Sequence, residues 1–216
     1  MIESATGLIL RTRPLTETSL IIHWLTPELG RIATVAKGAR RAKSPFAGKL
    51  DLFYAADFSF NRSRRSDLHN LREVDVRETH SAIREDLFKL RQAAYATALI
   101  EQATETETPL PVIYELLREF LGLLCREKNV PQIVLAFELK LLHELGLEPN
   151  LAETNLTAGT KKIAGILRQN GWTGSMRLKL TGVQAVELRH FLHDYLIFHL
   201  GRLPKGRSAA LADEGD

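Results

Sequence analysis

The chemistry most clearly encoded in this chain is phosphate binding by a run of positive charges. Between residues 31 and 49 there are six basic side chains and no acidic one. The six are Arg31, Lys37, Arg40, Arg41, Lys43 and Lys49. Clustered cations repel one another unless an anion neutralises them, and lysine and arginine neutralise the phosphates of nucleic acids. Gly38 and Gly48 let the chain bend closely around such a backbone. The stretch therefore predicts a nucleic-acid-binding loop, and a solvated loop without a ligand is the alternative.

A second basic cluster lies in the predicted turn 61–67, where Arg62, Arg64 and Arg65 follow one another closely. These arginines extend the same positive surface if the two loops share one face of a domain. If they do not, the turn is a charged hairpin tip.

Unpaired bases stack on exposed aromatic rings, so the aromatic residues near these clusters are candidates for base contacts. They are Phe46, Phe53, Tyr54, Phe58 and Phe60. Alternation along the predicted strand assigns most of them to a core. Phe46 lies inside the basic loop, so we single it out as the candidate for base stacking.

Nucleotide hydrolysis and nucleophilic catalysis lack their motifs in this sequence. Lys43-Ser44 is similar to the end of a P-loop, but Ala42 stands where that motif requires glycine. The single cysteine, Cys125, lies late in an amphipathic helix and reads as a small buried hydrophobe. We therefore predict that the protein is not an enzyme.

A metal site is possible at only one place in the sequence. His190, His193 and Asp194 have a helical spacing that presents three metal-ligand types on one face. A metal-dependent hydrolase is accordingly an alternative function. The neighbouring apolar residues indicate packing instead, so we expect no metal and no cofactor.

Composition places the chain among ordinary globular proteins. It has 216 residues, a net charge of +3 and 44% hydrophobic residues. The basic excess lies in residues 1–80, which hold 13 Lys+Arg against 9 Asp+Glu. The sequence has no apolar run long enough to cross a membrane and no secretory signal. We therefore predict a cytoplasmic protein.

The hydrophobic pattern divides the chain into a β part and an α part. Five short strand-like segments separated by turn residues occupy residues 1–79, a number that favours a small OB-fold barrel over a sandwich. Residues 80–216 have helical periodicity. Helices are predicted over about 81–104, 111–128, 131–145, 161–170 and 181–200, and the tail 207–216 is expected to be frayed. The predicted class is α+β, an N-terminal OB-fold barrel followed by an all-α domain.

The order of several short motifs resembles that of the RecO family of bacterial DNA repair and recombination mediators. The N-terminal motifs are PLTETS at 14–19, LTPELGR at 25–31 and VAKGARR at 35–41. The helical part adds FELKLL at 137–142, Leu145-Gly146, PNL at 149–151 and HLGR at 199–202, with Lys205 and Arg207 close behind.

This resemblance implies a protein that works by binding and not by catalysis. It implies binding of single- and double-stranded DNA, annealing of complementary strands, association with RecR, and loading of RecA onto DNA coated by single-stranded DNA-binding protein. The family's basic loop maps onto Lys37, Arg40, Arg41 and Lys43, and Arg11, Arg13 and Arg31 are weaker additions.

The chain departs from the family pattern in two places. Many members carry a four-cysteine zinc module after the segment that ends here at Leu151, but no cysteine follows it, so we expect no zinc module. Some members have an arginine before the Phe-Glu-Leu motif that helps to hold the acidic tail of the single-stranded DNA-binding protein. Leu135 and Ala136 stand there instead, so Lys140, with Phe137, becomes the candidate for that contact.

One alternative is compatible with the same basic loop. An RNA-binding OB module acting in translation or ribosome assembly uses the same phosphate chemistry, because phosphate contacts do not distinguish the two sugars. Competition between matched DNA and RNA oligonucleotides separates the two functions.

Overall fold

The computed structural model describes residues 2–127 and 131–212, and within them a β-barrel is followed by helices. The strands are β1 (Ile2–Pro14), β2 (Leu20–Thr26), β3 (Gly30–Ala36), β4 (Ala55–Asn61) and β5 (Leu68–Glu78). The α-helices are α1 (Leu87–Ala103), α2 (Pro111–Arg126), α3 (Gln132–Glu144), α4 (Ala158–Gln169), α5 (Trp172–Arg177), α6 (Gly182–Leu200) and α7 (Arg207–Ala210). The α+β class with an N-terminal OB-fold is confirmed.

The five strands close into a barrel in the order β1-β2-β3-β5-β4. Neighbouring pairs are antiparallel except β3 with β5, which run parallel. Strand β4 shows why the barrel forms, because Phe58 and Phe60 are buried while their neighbours Asp57 and Ser59 are only partly buried. Period-two alternation of this kind lets one face of a strand enter a core.

The barrel core contains a stacked aromatic pair. The rings of Trp24 and Phe58 lie 4.0 Å apart between centroids. The indole Nε1 of Trp24 donates a hydrogen bond to the buried Thr34 hydroxyl at 2.9 Å. The indole therefore fills the core without leaving its polar group unsatisfied. Phe53, Phe58 and Phe60 are buried as predicted.

The chain folds into two compact units, and each is made of two segments. The first contains the described residues up to Ser81 together with Thr104–Arg118. The second contains Ala82–Ala103 and the described residues from Glu119 onward. The predicted division at residue 79 is a single cut, whereas the first observed unit also takes in Thr104–Arg118, which lies beyond that cut.

Segment 104–110 of the first unit lies along β3. Arg31 donates from Nε to the Thr104 hydroxyl at 2.9 Å and accepts a bond at its carbonyl from the Glu107 amide at 3.0 Å. Gly30 has a φ of +64°, and a Cβ there would lie 1.8 Å from the Thr108 carbonyl oxygen. Only glycine satisfies both the backbone conformation and the close approach at that position.

The second unit is helical, and its details correct two predictions. Helix α1 begins at Leu87 because the Asp86 carboxylate accepts bonds from the Phe88 and Lys89 amides, an N-cap. The predicted start of this helix at about residue 81 was therefore too early, and Leu87 and Ala94 are exposed. The expectation of a frayed tail was also wrong for 207–212, since α7 forms there. Residue 128 and residues 213–216, which belonged to the predicted second helix and tail, lie outside the described residues.

Candidate nucleic-acid interface

The loop between β3 and β4 is a succession of tight turns. Backbone bonds join Arg41 to Gly38, Ser44 to Arg41 and Lys49 to Phe46, at 3.0 to 3.1 Å. Gly38 supplies a φ of +70° where the first turn needs it. The loop therefore has a defined backbone shape, which fixes where its cations emerge.

Phe46 anchors this loop to the barrel. Its ring is 7% exposed and belongs to the same core cluster as Trp24 and Phe58. The prediction that Phe46 stacks on bases is therefore wrong for this conformation. Although Phe46 is surrounded by charged residues in the sequence, its ring enters the core because burying such a side chain stabilises the fold by about 2 to 3 kcal/mol.

Four predicted phosphate ligands project from the anchored loop into solvent. These are Lys37, Arg40, Arg41 and Lys43. The Arg40 amide donates to the Thr18 carbonyl at 3.0 Å, and its guanidinium donates to the Thr16 carbonyl at 3.2 Å. The turn between β1 and β2 therefore braces the loop, and Arg13, close before that turn, lies at the same end of the barrel.

Lys49 is placed differently from the other loop cations. Its ammonium donates to the Val74 carbonyl of β5 at 3.0 Å and lines a groove on the β4–β5 side. That groove is also lined by four carboxylates: Glu28, Asp57, Glu73 and Asp75. Arg77 pairs with Asp57 at this groove, but the other three carboxylates leave its lining net negative, whereas the loop cations Lys37 to Lys43 form a positive surface.

The outer face of β1 to β3 continues this positive surface along the barrel. Arg11 is the register partner of His23 across β1 and β2, and Arg31 pairs with Leu25 across β2 and β3, two residues from His23 on the same face. Arg13 follows Arg11 at the next outward position. Burial, together with the positive charge of three nearby arginines, lowers the pKa of His23 to about 4. The three are Arg11, Arg13 and Arg31.

His23 is a residue of this face that no sequence motif indicates. A lone histidine in an apolar strand carries no local signal, and only the strand register brings it between arginines. The arginine contribution to its depressed pKa reports a positive potential on this face.

The arginines of the β4–β5 turn do not join the basic loop. β3 has seven residues, so its two ends are roughly 20 Å apart. The basic loop follows the last residue of β3. Arg62 instead bonds both Glu3, at 2.8 Å, and Glu107, whose amide is held by Arg31 near the start of β3. Its hydrogen bond to Glu3 is the main cause that raises the pKa of Arg62. Arg64 and Arg65 are exposed at that end.

The two candidate partner contacts in the helical unit have structural roles. Phe137 is fully buried, with its ring centroid 4.7 Å from that of Phe120, so it offers no surface to a partner. The Lys140 ammonium donates to the carbonyls of Arg168, at 2.9 Å, and Asn170, at 2.7 Å. These are carbonyls at the C-terminal end of α4, where a cation is favourable.

A groove of about 730 Å³ lies near the helix that carries Lys140, at the N-terminal end of α3. Leu135 and Met176 contribute apolar surface, and three cations line it: Arg177, Lys179 and Arg189. Arg189 Nε is buried there without a hydrogen-bond acceptor among the described residues. The groove combines an apolar lining with positive charge.

Neither metal nor membrane features emerge from the described residues. No group of three or more His, Cys, Asp or Glu side chains across 2–127 and 131–212 has a metal-binding arrangement, His190, His193 and Asp194 included. The segment after Leu151 forms a short 3-10 helix and has no cysteine, so its residues do not fit a four-cysteine zinc site. Within the same ranges, no helix has the length and apolar character to cross a membrane.

Comparison with known proteins identifies the family. Residues 1–80 match the family described as recombination protein O N terminal, and residues 84–157 match recombination protein O C terminal. A DNA repair protein RecO of Exiguobacterium sibiricum is 36% identical over 153 residues, 70% of this chain and 60% of that protein.

Two further relatives give the same result. Proteins with the same name from Listeria monocytogenes and Bacillus pumilus are 35% and 33% identical over 150 and 151 residues. The matched part covers 69% and 70% of this chain, but only 58% of each relative. The order of the two matched domains agrees with the structure, in which a closed five-stranded barrel precedes the helices. The chain therefore belongs to the RecO family.

Proposed function

We propose that this protein is a recombination mediator that binds single- and double-stranded DNA and anneals complementary strands. With RecR it helps to load RecA onto DNA coated by single-stranded DNA-binding protein. The observation that carries the DNA-binding part is the one-sided charge of the barrel. Basic residues occupy the outer face of β1 to β3 and the loop after β3, whereas four carboxylates line the groove of β4 and β5.

The proposed DNA path runs along the outside of β3 and across the basic loop. Arg11 and Arg13 provide cations along the strands, and the loop provides four more at one end. Arg31 contributes its charge to this face, while its guanidinium donates to the Thr104 hydroxyl. The path of roughly 20 Å suits a short stretch of nucleic acid, as in other OB-folds. Because the contacts are with phosphates, binding is independent of base sequence and falls as salt rises.

The test is fluorescence anisotropy with single-stranded and duplex DNA over a salt series. The variant replaces Lys37, Arg40, Arg41 and Lys43 with Ala, after circular dichroism has shown that it folds. The matched control replaces Arg64 and Arg65, which are equally exposed at the other end of β3. We expect the loop variant to lose about tenfold or more in affinity and to show a salt slope shallower by up to about 3.

The opposite pattern contradicts this path. Equal affinities for the wild type and the loop variant, with loss in the Arg64 and Arg65 variant, place the DNA contacts at the β4–β5 turn. A flat salt titration for the wild type removes the electrostatic mechanism itself.

The RNA-binding alternative is separated from the DNA proposal by competition. We expect a matched RNA oligonucleotide to displace bound DNA no better than unlabelled DNA does. An RNA competitor that is effective at a concentration about tenfold lower favours the RNA-binding module.

For the acidic tail of the single-stranded DNA-binding protein, we propose the groove at the start of α3. Lys140 is already engaged by two carbonyls, so Arg177, Lys179 and Arg189 supply the cations instead. The buried Arg189 Nε gains an acceptor when a carboxylate enters the groove.

Titration with a synthetic acidic peptide of that tail tests the assignment. We expect Arg189→Gln to weaken peptide binding several-fold and leave DNA binding unchanged, while Lys140→Gln serves as the matched control. Loss of peptide binding in Lys140→Gln alone, with the fold intact, contradicts the groove assignment.

A further inference from the structure

Two nitrogen groups of the barrel converge on the carboxylate of Glu107, in the segment 104–110. Its Oε1 accepts a hydrogen bond from Nη1 of Arg62, in the β4–β5 turn, at 3.1 Å. The same oxygen lies 3.3 Å from Nε2 of His69, near the start of β5. An arginine and an imidazole, from two places in the chain, therefore meet at one bound oxygen anion.

The imidazole of His69 supplies a buried donor to this point. Its side chain is 2% exposed, and its ring stacks on that of Phe60 with centroids 5.2 Å apart. The Ser63 amide donates to Nδ1 at 3.4 Å, so Nε2 carries the proton of the neutral ring. Nε2 has no partner of hydrogen-bond geometry in residues 2–127 and 131–212, although Oε1 of Glu107 is within reach. A buried donor in this state gains from an oxygen anion that is better aligned.

The guanidinium of Arg62 is oriented by groups other than Glu107. Its Nε donates to both carboxylate oxygens of Glu3, at 2.8 and 3.0 Å. The guanidinium carbon also lies 5.8 Å from the centroid of the Phe60 ring. Because Glu3 binds Nε, the Nη1 group remains for the anion beside His69. Arg62 and His69 thus form a preformed pair of donors, and both are positioned by Phe60.

The side chain of Glu107 can move while the backbone that carries it stays in place. The Glu107 amide donates to the Arg31 carbonyl, and the Leu110 amide donates to the Pro27 carbonyl, both at 3.0 Å. The Glu107 side chain itself is 44% exposed. Its φ of +55° is unfavourable for a residue with a side chain, and strained positions of this kind cluster at functional sites. Rotation of one surface side chain is therefore enough to open the space between Arg62 and His69.

The charges of the β4–β5 turn and of its two carboxylate partners balance only while Glu107 is counted. The turn contributes one carboxylate, Asp67, and three arginines: Arg62, Arg64 and Arg65. Glu3 and Glu107 bring the number of carboxylates to three. Displacement of Glu107 leaves three arginines against two carboxylates. The turn then has an excess of positive charge, which attracts a polyanion.

We propose that Arg62 and His69 form a phosphate site for nucleic acid and that Glu107 is its built-in competitor. The inference rests on the proposed DNA binding and extends the proposed path by one phosphate at the start of β3. When the Glu107 side chain rotates away, Nη1 of Arg62 and Nε2 of His69 donate to a phosphate oxygen in its place. Because the phosphate has to displace a carboxylate, the site contributes only part of its full affinity. A chain that anneals strands must also release the duplex, and a competitor of this kind favours release.

The first test is fluorescence anisotropy of the full chain with single-stranded DNA. Glu107→Gln removes the charge and keeps the shape of the side chain. We expect it to bind about three- to tenfold more tightly than the wild type at about 0.1 M salt, with a salt slope steeper by up to about 1. The matched control is Glu105→Gln, because Glu105 is exposed in the same segment and the net charge changes equally. Its affinity stays within about twofold of the wild type, since salt screens an exposed charge away from the site.

Glu107→Gly is a second variant with the same expected gain. Glycine also removes the carboxylate, and it suits the positive φ at this position. A gain of affinity in both variants cannot come from a damaged fold, which lowers affinity.

A double-mutant cycle shows whether the gain comes from this site. We expect Arg62→Gln to lower DNA affinity by a factor about threefold or more larger in the Glu107→Gln background than in the wild type, because only there is Nη1 open to a phosphate. A general effect of net charge lacks this coupling, since the two substitutions then act independently.

The ring resonances of His69 report on the other donor. We expect them to shift in Glu107→Gln when a short single-stranded oligonucleotide is added, and to shift less in the wild type at the same DNA concentration.

Four results overturn the proposal. Equal DNA affinities for the wild type and both Glu107 variants remove the competitor and leave the proposed function standing. A gain that Arg62→Gln does not reduce places the extra contact elsewhere. His69 resonances that stay unchanged in DNA-bound Glu107→Gln exclude the imidazole as a ligand. A chain that binds no DNA, either as the wild type or as Glu107→Gln, overturns this inference together with the proposed function.

Discussion

Glu138 and Arg207, 69 positions apart in sequence, form a bidentate ion pair inside the helical unit. Arg207 Nε lies 2.6 Å from Oε1 of Glu138, and Nη2 lies 2.8 Å from Oε2. Glu138 is fully buried and Arg207 is 8% exposed. Tyr95 donates its hydroxyl to Oε1 at 2.6 Å, and burial and this carboxylate raise the pKa of Tyr95. The pair fixes α7 against α1 and α3.

Removing one partner of this pair destabilises the fold more than removing the whole cluster. We expect Arg207→Met to lower the free energy of unfolding by about 3 to 5 kcal/mol, because it leaves a buried carboxylate without its counter-ion. Adding Glu138→Leu and Tyr95→Phe recovers much of that loss. Urea unfolding measures both, and equal stabilities for Arg207→Met and the wild type contradict the buried pair.

Phe46 links the stability of the barrel to DNA binding. We expect Phe46→Ala to cost about 3 kcal/mol or more, because it empties a core position. It also weakens DNA binding, since the turns that carry Lys37 to Lys43 lose their anchor. Phe46→Leu, which retains much of the apolar volume, is the control and keeps DNA affinity within about twofold. Unchanged DNA affinity in Phe46→Ala at a temperature where it is folded contradicts the anchoring role.

His23 makes stability depend on pH in a defined window. Its pKa is about 4 in the folded chain and 6.5 as a free group, so the unfolded chain binds a proton that the fold excludes. Stability is full above pH 6.5 and falls as the pH drops toward 4, by up to about 3 kcal/mol. We expect His23→Gln to flatten this dependence when urea unfolding is compared at about pH 7 and about pH 5. A variant with the wild-type pH dependence excludes His23 as the cause.

Lys140 stabilises the end of α4, and we expect it to have no part in DNA binding. We expect Lys140→Met to lower the free energy of unfolding by about 1 to 2 kcal/mol, because the Arg168 and Asn170 carbonyls lose a charged donor. Its DNA affinity stays at the wild-type value. Thermal unfolding and anisotropy of the same sample check both outcomes, and an unchanged melting temperature contradicts the capping role.

Individual elements of the fold follow from local pattern. Alternation in β4 determines that Phe58 and Phe60 face inward, and Thr181 with Gln184 determines where α6 begins. The structure has both bonds of that capping box. Such features depend on residues close in sequence, so periodicity and capping chemistry are enough to predict them.

Which charges act together depends on the tertiary structure. The sequence places Lys49 and Arg62 among the cations, but the fold turns Lys49 toward an acidic groove and pairs Arg62 with Glu3 and Glu107. It also brings His23 between arginines and buries Phe46. These outcomes depend on strand register and barrel closure, which join residues up to 59 positions apart, as in the Arg62–Glu3 pair.

The existence of a basic OB-fold loop could be predicted without coordinates, because charge and turn residues are local features of the chain. The availability of each side chain to a ligand could not. Burial and ion pairing are set by neighbours that no local pattern specifies, so they are properties of the packed chain.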